Sequence, residues 1–132
     1  MLIIAAAALA FCLSAAAQTQ DLSAKAQADI AKLVGEWTFT MDNPLGGDEL
    51  SGVVTFVKDD KGVHFEMPAA EYGRLVSDPL KAEKNGKVTT VYTVQEYDVD
   101  VLCIITLKSD DAGEINMEAS GMVMNAPIKR KK

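Results

Sequence analysis

From Trp37 onward, the apolar residues of this chain recur at every second position in short runs, a period that fits half-buried strands and not helices. Trp37, Phe39 and Met41 alternate with Glu36, Thr38 and Thr40, and Val54 and Phe56 share one face of residues 50–58. Val63, Phe65 and Met67 alternate with His64 and Glu66. A short candidate strand covers residues 80–84. Residues 87–95 and 100–108 are rich in β-branched side chains, which favour the pleated backbone. Ile115, Met117 and Ala119 mark one face of residues 114–120, and a last strand follows Gly121 over residues 122–129. Between these runs lie turn formers: residues 42–48 (DNPLGGD), 59–62 (DDKG), 85–86 (NG) and 109–113 (SDDAG). Asn85-Gly86 is the strongest hairpin signal of these, because both residues accept positive φ.

The segment before Gly35 has a different period. Leu22, Ala26, Ile30 and Leu33 are spaced by four, four and three, with Lys25, Asp29 and Lys32 off that stripe, which predicts one amphipathic helix over about residues 20–33. Gly35 supplies the stop. One helix followed by about eight strands joined by tight turns, over about residues 34–129, predicts an all-β fold. The expected architecture is an antiparallel eight-stranded up-and-down barrel, which removes exposed edges. A two-sheet β-sandwich fits the same pattern and is the alternative.

Composition is informative once it is divided. Residues 1–17 carry no charge and only one residue outside the hydrophobic class, and they end in Ala15-Ala16-Ala17. They read as a secretory signal peptide cut before Gln18, leaving residues 18–132 as one domain exported to the periplasm or the outside of the cell. No Lys or Arg precedes the apolar run. An uncleaved anchor is the other reading, although 16 residues fall short of the roughly 20 a bilayer core needs. Lipoprotein anchoring through Cys12 is disfavoured by the bulky Phe11 beside it. After cleavage only Cys103 remains, so no internal disulfide forms. The run around it, VLCIITL, predicts a buried apolar role. The net charge of −6 disfavours a generic nucleic-acid binder, since an acidic surface gains no counterion release from phosphate.

Gly35-Glu36-Trp37, placed between a short helix and the first strand, resembles the G-x-W motif of the lipocalins and the wider calycin group. The basic residues that close the chain, Lys129 to Lys132, add to the likeness. The resemblance implies a small secreted bacterial lipocalin-like barrel. In it Gly35 would turn the chain into strand one, Trp37 would plug the base, and Arg130, or failing that Lys129, would pack across the indole.

Alternation predicts an inward face of Phe39, Met41, Val54, Phe56, Phe65, Met67, Tyr92, Ile105, Met117 and Met124, accompanied by Trp37, Val94 and Cys103. Such a face lines a cavity for a small hydrophobic ligand, with flexible methionines adapting to it. The same residues would also fill a barrel of this size, so an open and a filled interior both remain. Catalytic chemistry finds little support. His64 is the single histidine, no G-x-S-x-G elbow accompanies it, and Gly46-Gly47 lacks the lysine of a phosphate cradle. No metal site is expected, because a multi-His zinc site is impossible and the acids Asp42, Asp48, Glu49, Glu96, Asp98 and Asp100 lack EF-hand spacing. The expected function is an exported carrier that does no chemistry on its ligand and needs no cofactor. The alternative is a cell-envelope interaction module with a filled barrel, using the loops at 42–48 and 68–78 to contact a protein or glycan.

Overall fold

The computed structural model describes residues 21–42, 47–68, 74–95 and 97–132. The expected signal peptide, residues 1–17, lies outside the described residues, as do Cys12, Gln18, Glu96 and parts of the loops at 42–48 and 68–78. Helix α1 (Ser23–Leu33) begins three residues later than the spacing predicted. Leu22 N–H donates to Lys84 O at 2.7 Å and ties the helix start to the β5–β6 turn, while the Asp21 carboxylate accepts Ser23 N–H at 2.7 Å within the helix start itself.

Nine strands follow among the described residues. They are β1 (Gly35–Met41), β2 (Leu50–Asp59), β3 (Gly62–Pro68), β4 (Arg74–Val76), β5 (Lys81–Ala82), β6 (Val88–Val94), β7 (Val99–Leu107), β8 (Ala112–Ala119) and β9 (Met122–Arg130). The sequence predicted eight. The addition is β4, three residues too short to show a period, which pairs with β3 from Glu66↔Val76 to Pro68↔Arg74.

All neighbours are antiparallel, in the order β4-β3-β2-β1-β9-β8-β7-β6-β5, so the first and last long strands lie side by side as in an up-and-down barrel. Residues 77–80 cross between the sheet's two ends. On one side Ser77 N–H donates to Phe65 O, Ser77 Oγ accepts Phe65 N–H, and Leu80 N–H donates to Val63 O. On the other, Asp78 N–H donates to Val91 O and Thr90 Oγ1 donates to Asp78 O. This segment stitches β3 to β6, and it explains why Ser77 and Thr90 are buried although polar. The result is an all-β barrel with one helix.

The two ends of the barrel differ. Helix α1 lies across one end, burying Ala26, Ile30 and Leu33, beside the turns that follow β2, β5 and β7. The other end, the mouth, carries the connections after β1, β3, β6 and β8. The core between them is aromatic at its centre: Phe56 and Phe65 meet edge to face at 5.9 Å, and Phe65 and Tyr92 at 5.8 Å.

Candidate functional site

The helix end is built around the sole tryptophan. Gly35 enters β1 at φ +130°, a conformation that side-chain-bearing residues rarely adopt, and this turns the chain from helix to strand. Trp37 is then fully buried, its indole N–H donating to Leu33 O at 2.8 Å. The Arg130 guanidinium lies over the ring, 4.4 Å from its centroid, held there by donation to Lys32 O at 2.6 Å and Asp110 O at 2.9 Å. Arrangements of this kind close a barrel; nothing in this one opens to a ligand.

The interior continues the closure. Phe39, Val54, Phe56, Phe65, Met67, Tyr92, Ile105 and Met117 are all buried and belong to one apolar cluster. The Phe39 ring occupies the space where a side chain at Gly52 would stand, 3.1 Å from that Cβ position. Tyr92 OH donates to Met117 Sδ at 3.4 Å, and burial pushes its pKa upward. Burial likewise pushes the Cys103 thiol up to about 12, so it packs as a small apolar residue. Of the predicted inward residues, Met41, Val94 and Met124 are the ones only partly buried, and two of them, Met41 and Met124, reach open space.

They reach it in a groove of about 470 Å3 at the mouth, lined by Thr40, Met41, Asp42 and Glu49 on one side and Met122, Val123, Met124, Asn125 and Pro127 on the other. Its origin is a single backbone group. Strands β1 and β9 pair at Trp37↔Arg130, Thr38↔Lys129 and Phe39↔Ile128, and there the ladder stops. Lys131 N–H donates to Glu36 O, and Thr38 Oγ1 donates to Lys129 O, so the odd-numbered residues of β9 face β1. Pro127 is next in that phase and has no N–H to offer. Beyond it β9 stays paired with β8 as far as Ala119↔Met122, and β1 stays paired with β2 as far as Met41↔Leu50. The two strands part, and the groove is the gap between them.

Sequence reasoning reached Met41 and Met124 but missed the rest of the lining. The available signal was Pro127 inside a strand, which marks an edge rather than a fully paired position. Exposure at the groove is high for apolar residues, 48% for Met122 and 73% for Val123.

Away from the groove, His64 lies on the outer face, with Nε2 2.9 Å from Glu66 Oε2 and Nδ1 3.4 Å from Asp59 Oδ2. Among the described residues, no group of three or more His, Cys, Asp or Glu side chains is arranged to hold a metal ion. None of the described helices is long and apolar enough to cross a membrane.

Comparison with solved structures places the chain among β-barrels. It is similar to a redesigned β-barrel solved with DFHBI bound (18% identity, TM-score 0.58, covering 75% of this chain and 99% of that one). It is also similar to a fluorescence-activating β-barrel designed de novo (13% identity, TM-score 0.56, covering 77% and 96%). A further redesigned β-barrel superposes with a TM-score of 0.55 at 16% identity, covering 78% and 95%. At these identities the likeness shows the fold alone. No protein-family model and no curated protein matches the chain.

Proposed function

We propose that this chain is an exported binding protein for a small hydrophobic or amphipathic molecule, on which it does no chemistry. The observation that carries the reading is the groove opened between β1 and β9 beyond Pro127, with Met41, Met122 and Met124 as its apolar lining. Methionine is unbranched and polarizable, so such a lining accommodates ligands of irregular shape. Its volume lies within the range of small-molecule sites, about 300–1,000 Å3. The similar barrel solved with DFHBI lends support, since it holds a small molecule on the same fold. Export rests on residues 1–17 and their terminal alanines.

The filled interior favours one part of the alternative reading, in which the barrel is a rigid module that contacts other molecules through its mouth. The two readings differ in what the groove takes up. Mature protein titrated with the neutral fluorescent probe N-phenylnaphthylamine should give saturable enhancement, and Met41→Trp or Met124→Trp, which fill the groove, should abolish it. Absence of saturable binding in the parent, or identical binding in both filled variants, overturns the carrier reading.

A further inference from the structure

The charges of this barrel are segregated along its axis, and the groove lies at the acidic end. Every lysine sits in the half nearer the helix: on α1, at the turns after β2, β5 and β7, or at the end of β9 and beyond. Most acids in that half have partners. Lys25 meets Asp29 at 3.2 Å, Lys108 meets Glu114 at 3.4 Å, and Arg130 meets Asp111 at 3.4 Å. At the mouth the sole basic residue is Arg74, which is engaged with Glu66 at 3.1 Å. Asp42 and Glu49 make no ion pair among the described residues, yet both line the groove. In the chain they follow and precede the last pair of the β1–β2 ladder, Met41↔Leu50. Two carboxylates without a basic partner give this end of the groove a negative potential that an organic cation would offset.

The geometry points to an amphipathic cation as the occupant: an apolar body against Met41, Met122 and Met124, with a protonated amine or quaternary ammonium set against Asp42 and Glu49. This rests on the carrier reading above and narrows it. An anionic amphiphile such as a fatty carboxylate would bring a third negative charge to two that are already uncompensated. The unpaired acids of the mouth also attract cations from solution, an effect that salt screens.

Three probes with the same tail and different heads test the assignment: decyltrimethylammonium, decyl maltoside and decanoate, each kept below its micellar concentration and measured by calorimetric titration at low ionic strength. The cation should bind about tenfold more tightly than the neutral maltoside, and decanoate more weakly than either. In about 1 M salt, where the Debye length is about 3 Å, the spread should contract. The double variant Asp42→Asn/Glu49→Gln should bind the maltoside as the parent does and lose most of its preference for the cation. Equal binding of all three heads by the parent overturns the cation assignment and leaves the carrier reading standing. So does a preference that survives in the double variant. If no probe binds, both fall. If the parent sediments as a dimer that Val123→Arg dissociates, the groove is a contact between copies and the assignment is wrong.

Discussion

Arg130 covers Trp37 with its guanidinium 4.4 Å from the ring centroid, while the same side chain donates to Lys32 O on the helix and Asp110 O on the β7–β8 turn. One residue of the last strand thus binds the first strand, the helix and a hairpin into a single closure. The planar fork allows stacking and multiple donation together, whereas a lysine ammonium, a compact point charge, cannot stack its plane on the indole. Arg130→Ala should therefore destabilise the barrel by about 2–3 kcal/mol, and Arg130→Lys should recover less than half of that. Urea unfolding followed through Trp37 emission measures both. A parent-like midpoint in Arg130→Ala would show that the closure stands without it.

Trp37 itself fills the base of the barrel at zero exposure. Trp37→Ala removes that volume and leaves Leu33 O without its indole donor, for a loss of about 3–5 kcal/mol. Trp37→Phe keeps most of the volume and should lose less. Thermal unfolding followed by far-ultraviolet circular dichroism ranks the two. Equal melting temperatures for Trp37→Ala and the parent would contradict its role in the core.

Much of this architecture is legible in the sequence because burial on one face writes a period of two. The alternation at Trp37, Phe39 and Met41, and again at Ile115 and Met117, fixes which side of each strand faces inward. Asn85-Gly86 forms the predicted turn, with Gly86 at φ +87° and Lys87 N–H on Asn85 Oδ1. What the period cannot show is pairing that depends on three residues, as in β4, or on an irregular crossing such as residues 77–80, whose hydrogen bonds run to two strands at once. The groove was hidden for a related reason. It arises from a hydrogen bond that is not made, and alternation reports which face a residue takes but not whether its N–H finds a partner.

Stability should decline as pH rises above about 9. The Cys103 thiol ionises near 9 when unfolded but is pushed up to about 12 in the barrel, and Tyr92 is raised from its ordinary value near 10 by the same loss of solvation. Between the unfolded and folded values the native state keeps a proton that the unfolded chain releases, so alkali favours unfolding. The decline should steepen above pH 10 as Tyr92 joins. Urea midpoints at several pH values for the parent and Cys103→Ala separate the two contributions, the variant losing the earlier part of the slope. The same burial should leave Cys103 unreactive to a thiol reagent at pH 8 until the protein is unfolded. Rapid labelling of the native protein would refute it.

Pro127 offers the sharpest test of how the groove is made. Pro127→Val places an N–H in the phase that already bonds Lys131 to Glu36, so the β1–β9 ladder gains the means to extend toward Thr40. Two effects on stability oppose each other. The new hydrogen bond contributes about 1 kcal/mol, while losing proline frees the unfolded chain by about 0.4–1 kcal/mol. The net change in unfolding free energy should therefore be small, and the melting temperature is a poor reporter. Hydrogen exchange is the better one: the amide at position 127 should be protected in the variant, and protection at Asn125 should rise as the strands close together. Ligand uptake should fall at the same time, because the closed ladder occupies the space between Met41 and Met124. A variant with an unprotected amide at 127 and undiminished binding of N-phenylnaphthylamine would show that the strands part for some reason other than the missing donor.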